Sequence, residues 1–251
     1  MHFLLQTIGG KIIHDFTFEM LLAKEYYDWA GKERLLLGFV DIDEIRDVRD
    51  SYDTIPVGSV DFVSEYLRVH YPDADPAVLR PLNVPDCLFP YAGRKIVNVL
   101  GAKDLAPFEG EEQVFRKSMD VIKDPLNGVC PFAETDLQLL LRTQISSLTS
   151  IISEWRVFVF QGRVMYAANY GGESLIFPDA KRIFGMLRAF RDEAPAAWTL
   201  DVAVTASNET VVVECHRFFS CGLYGFADHA KIPKMLSQTW HQMKAPKQQR
   251  I

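Results

Sequence analysis

The sequence predicts an α+β fold, and two patterns in its apolar residues carry that prediction. In the first hundred residues, apolar runs of strand length at 3–8 and 35–40 flank a helical pattern at 18–29. Beyond about residue 105, β-rich runs occur together, and helical patterns stand apart from them. With 251 residues, the chain can form one large lobe or two to three coupled lobes.

The first half of the chain is predicted to be an open α/β lobe followed by a loop-rich segment. Ser59 precedes apolar residues at helical intervals, which predicts that it caps the N-terminus of a helix. Five prolines between 72 and 90 exclude a long regular element there. We expect a short strand at 113–117 and a short helix at 136–142 after this segment.

The second half of the chain is predicted to contain two β-hairpins and two helices. Runs at 154–160 and 164–169 are separated by Gln-Gly-Arg, which is a hairpin signal. A second pair of Val-rich runs, LDVAV and TVVVEC, flanks a turn. Residues 178–192 predict an amphipathic helix, because one stripe holds Ile183, Met186, Leu187 and Phe190. A last helix is expected after Pro233.

Composition and charge argue against several classes of protein. The net charge of −6 argues against a dedicated nucleic-acid surface, where a basic balance is expected. No apolar run approaches the roughly 20 residues that span a bilayer, and the N-terminus lacks a secretory signal, so we expect a cytoplasmic protein. The 4 cysteines are too few and too scattered for a disulfide framework. Cys215, His216 and Cys221 lack the spacing of a structural zinc site.

The second Val-rich hairpin carries candidate metal ligands. A two-residue turn would pair Thr205 with Thr210 and would place Asp201 opposite Glu214 on one face of the sheet. Two like charges there repel each other, and a divalent cation would turn that repulsion into a binding site. His216 would project from the same face. The alternative is that both acidic residues are solvated, since a slip of one residue would separate them.

Four charged residues upstream are candidates for binding an anion. Lys117 and Lys123 bracket a loop and can hold phosphate oxygens as point charges, although lysines this close are common on surfaces. Arg156 stands inside an apolar strand, where it either faces solvent or needs a partner. Glu154 shares its face of the strand and can orient it.

The order of these residues along the chain resembles the ATP-grasp fold. It is most similar to a branch named for an arginine and two lysines, which is known largely from phages and bacteria. The resemblance extends from about residue 55 to 226 and rests on the stretches IPVGSVDFV, VFRKSMDVIKDPLNGV, SEWRVFV, LDVAV and VVVECHRFFSCGLYG. It implies an N-terminal α/β lobe at 1–100, a central ATP-binding subdomain at 101–150 and a C-terminal subdomain with a metal site at 151–251. The last two would be α+β subdomains that clamp ATP.

The resemblance also implies where ATP would bind. Lys117 and Lys123 would contact its phosphates, and residues 146–153 would form the hinge against the adenine. Arg156, with Glu154 beside it, would hold the transferring phosphoryl group. Arg156 and Lys123 are therefore the implied catalytic residues.

A magnesium site formed by Asp201 and Glu214 is implied in the same way. At the third metal position this chain has His216, where the family usually has asparagine or aspartate. Magnesium prefers oxygen ligands, so the histidine is expected to weaken a second metal, to select manganese (Mn2+) over Mg2+, or to act through water. Arg116, and Ser118 where the family often has proline, are milder departures.

The implied activity is that of an ATP-dependent ligase, which joins a carboxylate to an amine through an acyl phosphate. A small molecule, a peptide or a protein terminus would be the substrate, in the cytoplasm of a bacterium or of a phage-infected host cell. No nucleic acid or membrane is expected as a partner, and the oligomeric state is open.

Two other functions remain as alternatives. His216 favours a catalytically degenerate ATP-grasp domain that binds a nucleotide or a partner in a regulatory or virion-associated role. A hydrolase that uses Cys221 and His216 is the third alternative, and the sequence lacks the nucleophile elbow that would support it.

Overall fold

The computed structural model describes residues 1–50, 54–132 and 136–245. Its strands are β1 (His2–Thr7), β2 (Leu36–Asp41), β3 (Thr54–Val57), β4 (Ile96–Val99), β5 (Gln113–Ser118), β6 (Gly128–Pro131), β7 (Thr143–Ser146), β8 (Ile151–Phe160), β9 (Arg163–Gly172), β10 (Ala197–Thr205) and β11 (Thr210–Arg217). Its α-helices are α1 (Asp15–Trp29), α2 (Val60–His70), α3 (Leu137–Leu140), α4 (Ala180–Phe190) and α5 (Ile232–Lys244). This mixture confirms the predicted α+β class.

The chain forms two compact units. The first unit comprises residues 1–78, 195–197 and 217–251, and the second comprises 79–194 and 198–216. The division into three lobes that the sequence suggested stays a prediction.

A three-stranded parallel sheet organises the first unit, with the strand order β2-β1-β3. Parallel neighbours need a crossover between them, and α1 supplies the one from β1 to β2. The predicted helix cap is confirmed, because the hydroxyl of Ser59 accepts a hydrogen bond from the N–H of Phe62 at 3.2 Å. The core of this unit includes Phe3, Leu5, Phe16, Met20, Phe62 and Tyr66.

The Gly-Leu-Tyr-Gly stretch also belongs to the first unit, where α1 holds it. The N–H of Leu223 donates to the Asp15 carboxylate at 3.1 Å. Phe16 meets Phe218 edge to face, with 5.2 Å between the ring centroids. A carboxylate and an aromatic ring from one turn of α1 therefore fix the segment that follows β11.

The second unit contains two four-stranded sheets, with the orders β11-β10-β8-β9 and β4-β7-β5-β6. The apolar stripe of α4 is buried in one cluster with Trp155, Trp198 and Leu200, which confirms the predicted amphipathic helix. A smaller cluster under the second sheet includes Val99, Phe108, Val114, Leu140 and Ile145. The proline-rich segment forms only the short 3-10 helices Pro76–Leu79 and Asp86–Tyr91, as its composition predicts.

None of the described helices combines the length and the apolar character that a membrane span requires.

Candidate active site

A cavity of about 310 Å³ lies inside the second unit, where its two sheets face each other. The sheet β4-β7-β5-β6 contributes Ile96, Phe115, Lys117 and Ser146, while the other sheet contributes Ile151, Glu154, Tyr170 and Glu214. The wall is therefore apolar at one side and carries charged groups at the other. A cavity with a few converging polar groups is the usual form of a small-molecule site.

Arg156 and Asp201 form a buried ion pair between neighbouring strands. The guanidinium donates from Nε and Nη2 to the two carboxylate oxygens, at 2.8 and 2.6 Å. Burial alone would raise the pKa of Asp201, but the Arg156 guanidinium and the His216 ring lower it. The sequence left two alternatives for Arg156, and the structure places it inside with a carboxylate partner.

Lys117 and Glu214 form a second, direct ion pair. Lys117 comes from β5 and Glu214 from β11, so this pair joins the two sheets of the unit. Burial lowers the pKa of Lys117 to about 8, and the charge of Asp201 opposes that shift. Both side chains keep some exposure, 22% for the lysine and 17% for the glutamate, which leaves them accessible from the cavity.

His216 completes a group of three side chains that can bind a metal ion. Its Nε2 lies 3.1 Å from Oε1 of Glu214 and 3.5 Å from Oδ2 of Asp201. One ligand atom from each of the three residues falls within 4.8 Å of the others. The Nε2 atom is buried and makes no well-aligned hydrogen bond to a described residue. Burial lowers the pKa of His216, which favours the neutral ring that a metal requires. The donor set therefore fits a divalent cation.

The hairpin brings these three ligands together by a route that differs from the predicted one. The N–H of Thr205 donates to the carbonyl of Glu209 at 3.0 Å, with Asn208 in the left-handed region at φ 61°. The predicted pairing of Thr205 with Thr210 is thus wrong by one residue.

An irregularity in β11 offsets that shift. Val212 and Cys215 are three residues apart, yet both are buried in the same apolar cluster. Strict alternation would place them on opposite faces, so the strand is irregular between them. The irregularity returns Glu214 and His216 to the face that carries Asp201.

Glu154 and Tyr170 surround the Arg156 guanidinium. The hydroxyl of Tyr170 donates to Oε1 of Glu154 at 3.3 Å, and its ring centroid lies 5.7 Å from Cζ of Arg156. Burial, followed by the charges of Asp201 and Glu154, raises the pKa of the Tyr170 hydroxyl. Glu154 therefore lies beside Arg156 as predicted, and Tyr170 is a cavity residue that the sequence did not single out.

Lys123 occupies an exposed position in the loop between β5 and β6, outside the described ion pairs of the cavity. Hydrogen bonds to Ser118 shape this loop: its N–H donates to Oδ1 of Asn127 at 2.6 Å, and its Oγ accepts from Val121 N–H at 3.1 Å. Arg116 is buried and donates to the Leu139 carbonyl at 2.9 Å. The two unusual residues beside Lys117 therefore support the loop and its packing.

The segment predicted as the hinge lies on the cavity wall. Ser146, Ser147, Leu148, Thr149 and Ile151 all line the cavity. The Ser147 hydroxyl is already engaged, because it accepts from the N–H of Lys95 at 3.1 Å. Arg94 from the same upstream segment also lines the cavity, and the sequence gave no local signal for it apart from the preceding glycine.

Comparisons with known proteins agree with this geometry. Residues 102–232 match the second family of the ATP-grasp domain clade that is named for an arginine and two lysines. No curated protein matched the chain in sequence. Three solved structures illustrate the shared fold at low sequence identity, and they show the fold alone.

One is the ATP-grasp ligase PsnB complexed with a minimal precursor, with a TM-score of 0.56, 9% identity and coverage of 94% of this chain and 99% of that chain. The D-alanine--D-alanine ligase of Bacillus anthracis has a TM-score of 0.53 at 10% identity, covering 97% and 98%. A RimK domain ATP-grasp protein of Sphaerobacter thermophilus has a TM-score of 0.54 at 12% identity, covering 98% and 100%. The predicted fold and clade are confirmed: the chain belongs to the second ATP-grasp family of the arginine-and-two-lysines clade.

Proposed function

We propose that this protein is an ATP-dependent ligase that joins a carboxylate to an amine. The observation that carries the proposal is the pairing of two cations with two carboxylates at one end of the cavity: Lys117 with Glu214, and Arg156 with Asp201. Phosphoryl transfer needs positioning and neutralisation of charge more than covalent help. The cations suit phosphate oxygens, and the carboxylates suit the accompanying metal ion.

The nucleotide would lie along the cavity from its apolar side to its charged side. The adenine would contact Ile96, Leu148 and Ile151, beside the predicted hinge. Its phosphates would reach Lys117 and Arg156 at the charged side. Lys123 would join them only if the loop between β5 and β6 folds over the nucleotide, and its phosphate contact stays a prediction.

Asp201, Glu214 and His216 would hold a divalent cation, magnesium in the first instance. Such an ion would neutralise the charge on the transferring phosphoryl group. Asp201 keeps its charge through Arg156, and Glu214 keeps its own through Lys117. Since an imidazole nitrogen suits transition metals better than magnesium, we expect His216 to shift the preference toward manganese.

The reaction would proceed in two balanced steps. A substrate carboxylate oxygen attacks the γ-phosphorus of ATP, the bond to ADP breaks, and an acyl phosphate forms. An amine then attacks the acyl carbon, inorganic phosphate leaves, and the amine loses a proton. Arg156 would orient the transferring group, and Tyr170 with Glu154 would hold the guanidinium in place.

The substrate class is a small molecule or a peptide. PsnB and MdnC were solved with precursor peptides, and a third similar structure is a D-alanine--D-alanine ligase. The cytoplasm of a bacterium or of a phage-infected cell stays the expected location.

A degenerate domain that binds ATP without turnover is the second candidate. His216 in the ligand set and the exposed position of Lys123 favour it. In that case the same cavity would bind the nucleotide, but no acyl phosphate would form.

The two candidates separate when hydroxylamine traps the acyl phosphate. The protein would be incubated with ATP, Mg2+ or Mn2+, a pool of amino acids and peptides, and hydroxylamine, with Arg156→Met as the inactive control. Hydroxamate together with ADP in the wild type alone supports the ligase. Metal-dependent nucleotide binding without hydroxamate favours the degenerate domain, and no nucleotide binding contradicts both.

A further inference from the structure

Arg94 brings a positive charge to the cavity wall that no described carboxylate neutralises. Its guanidinium donates to three backbone carbonyls: those of Ala92 at 3.1 Å, Val212 at 2.7 Å and Val213 at 3.3 Å. All three acceptors are neutral. Burial lowers the pKa of Arg94, with no opposing contribution from a carboxylate. An arginine is rarely buried without an anionic partner, so this charge has an unmet preference for one.

The backbone around Arg94 is shaped to bring it to this wall. Gly93 has φ +63°, and a Cβ atom on it would lie 2.5 Å from Cγ1 of Val211. Only a glycine allows the chain to approach β11 so closely in that conformation. The close approach places the Arg94 guanidinium on the carbonyls of β11, beside the strand position of Glu214.

Arg94 lies near a second cation on the same wall. It lines the cavity together with Lys117, and its charge contributes to the lowered pKa of that lysine. Glu214 neutralises Lys117 but forms no ion pair with Arg94 within the described chain. Two cations with one carboxylate leave an excess of positive charge, which an anionic ligand would relieve.

We propose that Arg94 binds an anionic group of the bound nucleotide, next to the group that Lys117 contacts. This inference rests on the proposed function and extends it, because Arg94 lies outside the residues 102–232 that match the family. Three of its five N–H donors are used on carbonyls, and the planar fork can offer the others to phosphate oxygens.

A purely structural role is the competing explanation, since Arg94 also ties β11 to the segment before β4. The neighbouring Lys95 supplies a matched control. Its side chain is 51% exposed, and its Nζ contacts Glu111 at 2.9 Å, outside the cavity. Removal of either charge changes the net charge equally, but only Arg94 faces the cavity.

The test is calorimetric titration of adenosine, AMP, ADP and a non-hydrolysable ATP analogue at fixed Mg2+. The proteins are the wild type, Arg94→Gln, Arg94→Lys and Lys95→Gln, with thermal unfolding as the check on folding. We expect Arg94→Gln to weaken the phosphorylated ligands about 10- to 100-fold and adenosine little, as loss of a charged hydrogen bond predicts. Arg94→Lys should retain most of the affinity, and Lys95→Gln all of it. The first ligand in the series to lose affinity identifies the phosphate that Arg94 contacts.

Equal losses for adenosine and for the ATP analogue would overturn the proposal and leave Arg94 as a structural tie. Equal losses in Arg94→Lys and Arg94→Gln would do the same, and this comparison stands even if one variant fails to fold. Failure of the wild type to bind any of the four ligands would instead refute the proposed function itself.

Discussion

Two aspartates, one in each unit, have their charges stabilised by different kinds of partner. Asp41 ends β2 in the first unit, where it accepts from the Thr7 hydroxyl and from the N–H of Gly9 at 2.6 Å. Asp201 in the second unit is fully buried, and its main partner is the Arg156 guanidinium. Neutral donors satisfy the first carboxylate locally, whereas the second depends on a cation.

The difference separates a structural turn from a candidate active site. The donors to Asp41 are two backbone amides and a hydroxyl, which close a turn and offer nothing to a ligand. Arg156 and Lys117 can exchange their carboxylate partners for phosphate oxygens, and the carboxylates can then bind a metal ion. We therefore interpret the charged pairs on the cavity wall as ligand positions that the protein itself occupies at rest.

The largest effect is expected from Asp201→Asn, which leaves Arg156 buried without its carboxylate. We expect metal-dependent nucleotide binding to be lost and the free energy of unfolding to fall by about 3–5 kcal/mol, as for a broken buried ion pair. Calorimetry and denaturant unfolding would measure the two effects. Asp41→Asn is the matched control, and equal nucleotide affinity in both variants would contradict the distinction between the two aspartates.

Glu214→Gln should have opposite effects with and without metal. The metal-dependent part of nucleotide binding should disappear, because a ligand is lost. Binding in the presence of chelator should become about fivefold tighter, since Lys117 no longer has a competing carboxylate, and a partly exposed pair is worth about 1 kcal/mol. A decrease in both conditions would show that Glu214 does not compete with the nucleotide for Lys117.

His216→Asn should change the choice of metal more than the affinity for nucleotide. An amide oxygen in place of the imidazole nitrogen should raise the ratio of Mg2+ to Mn2+ affinity by about tenfold. The ratio can be measured by titrating each metal into the protein with the ATP analogue present. An unchanged ratio would mean that the histidine is not a ligand.

The smallest effect is expected from Asp41→Asn itself. The Thr7 hydroxyl, and then the Gly9 and Gly10 amides, lower the pKa of Asp41 below its ordinary value of 3.8. The stabilisation is therefore present above about pH 4 and is lost as the pH falls through the folded-state pKa. Thermal unfolding should show a small deficit of the variant at pH 7 that shrinks toward acid pH, with nucleotide binding unaffected. A deficit that grows in acid would reverse the sign of this account.

Much of the site could be predicted from the sequence because its residues lie in regular elements. The Val-rich hairpin indicated Asp201 and Glu214, and the apolar run around Arg156 indicated a strand. The register could not be predicted, because the shift at Asn208 and the irregularity before Cys215 cancel without leaving a periodic signal.

Residues that reach the cavity from irregular or distant segments were missed. Arg94 follows a short 3-10 helix and depends on the close approach of Gly93 to Val211, which only the folded chain reveals. Tyr170 lies on β9, where its neighbours gave no sign of a charged partner. Tertiary proximity of this kind has no period in the sequence.

The most direct test of the central claim is a crystal structure of the protein with a non-hydrolysable ATP analogue and Mg2+. We predict that Nζ of Lys117 leaves Glu214 for a phosphate oxygen, while Asp201 and Glu214 contact the metal ion. An intact Lys117–Glu214 pair, with the nucleotide bound elsewhere or not at all, would contradict the account.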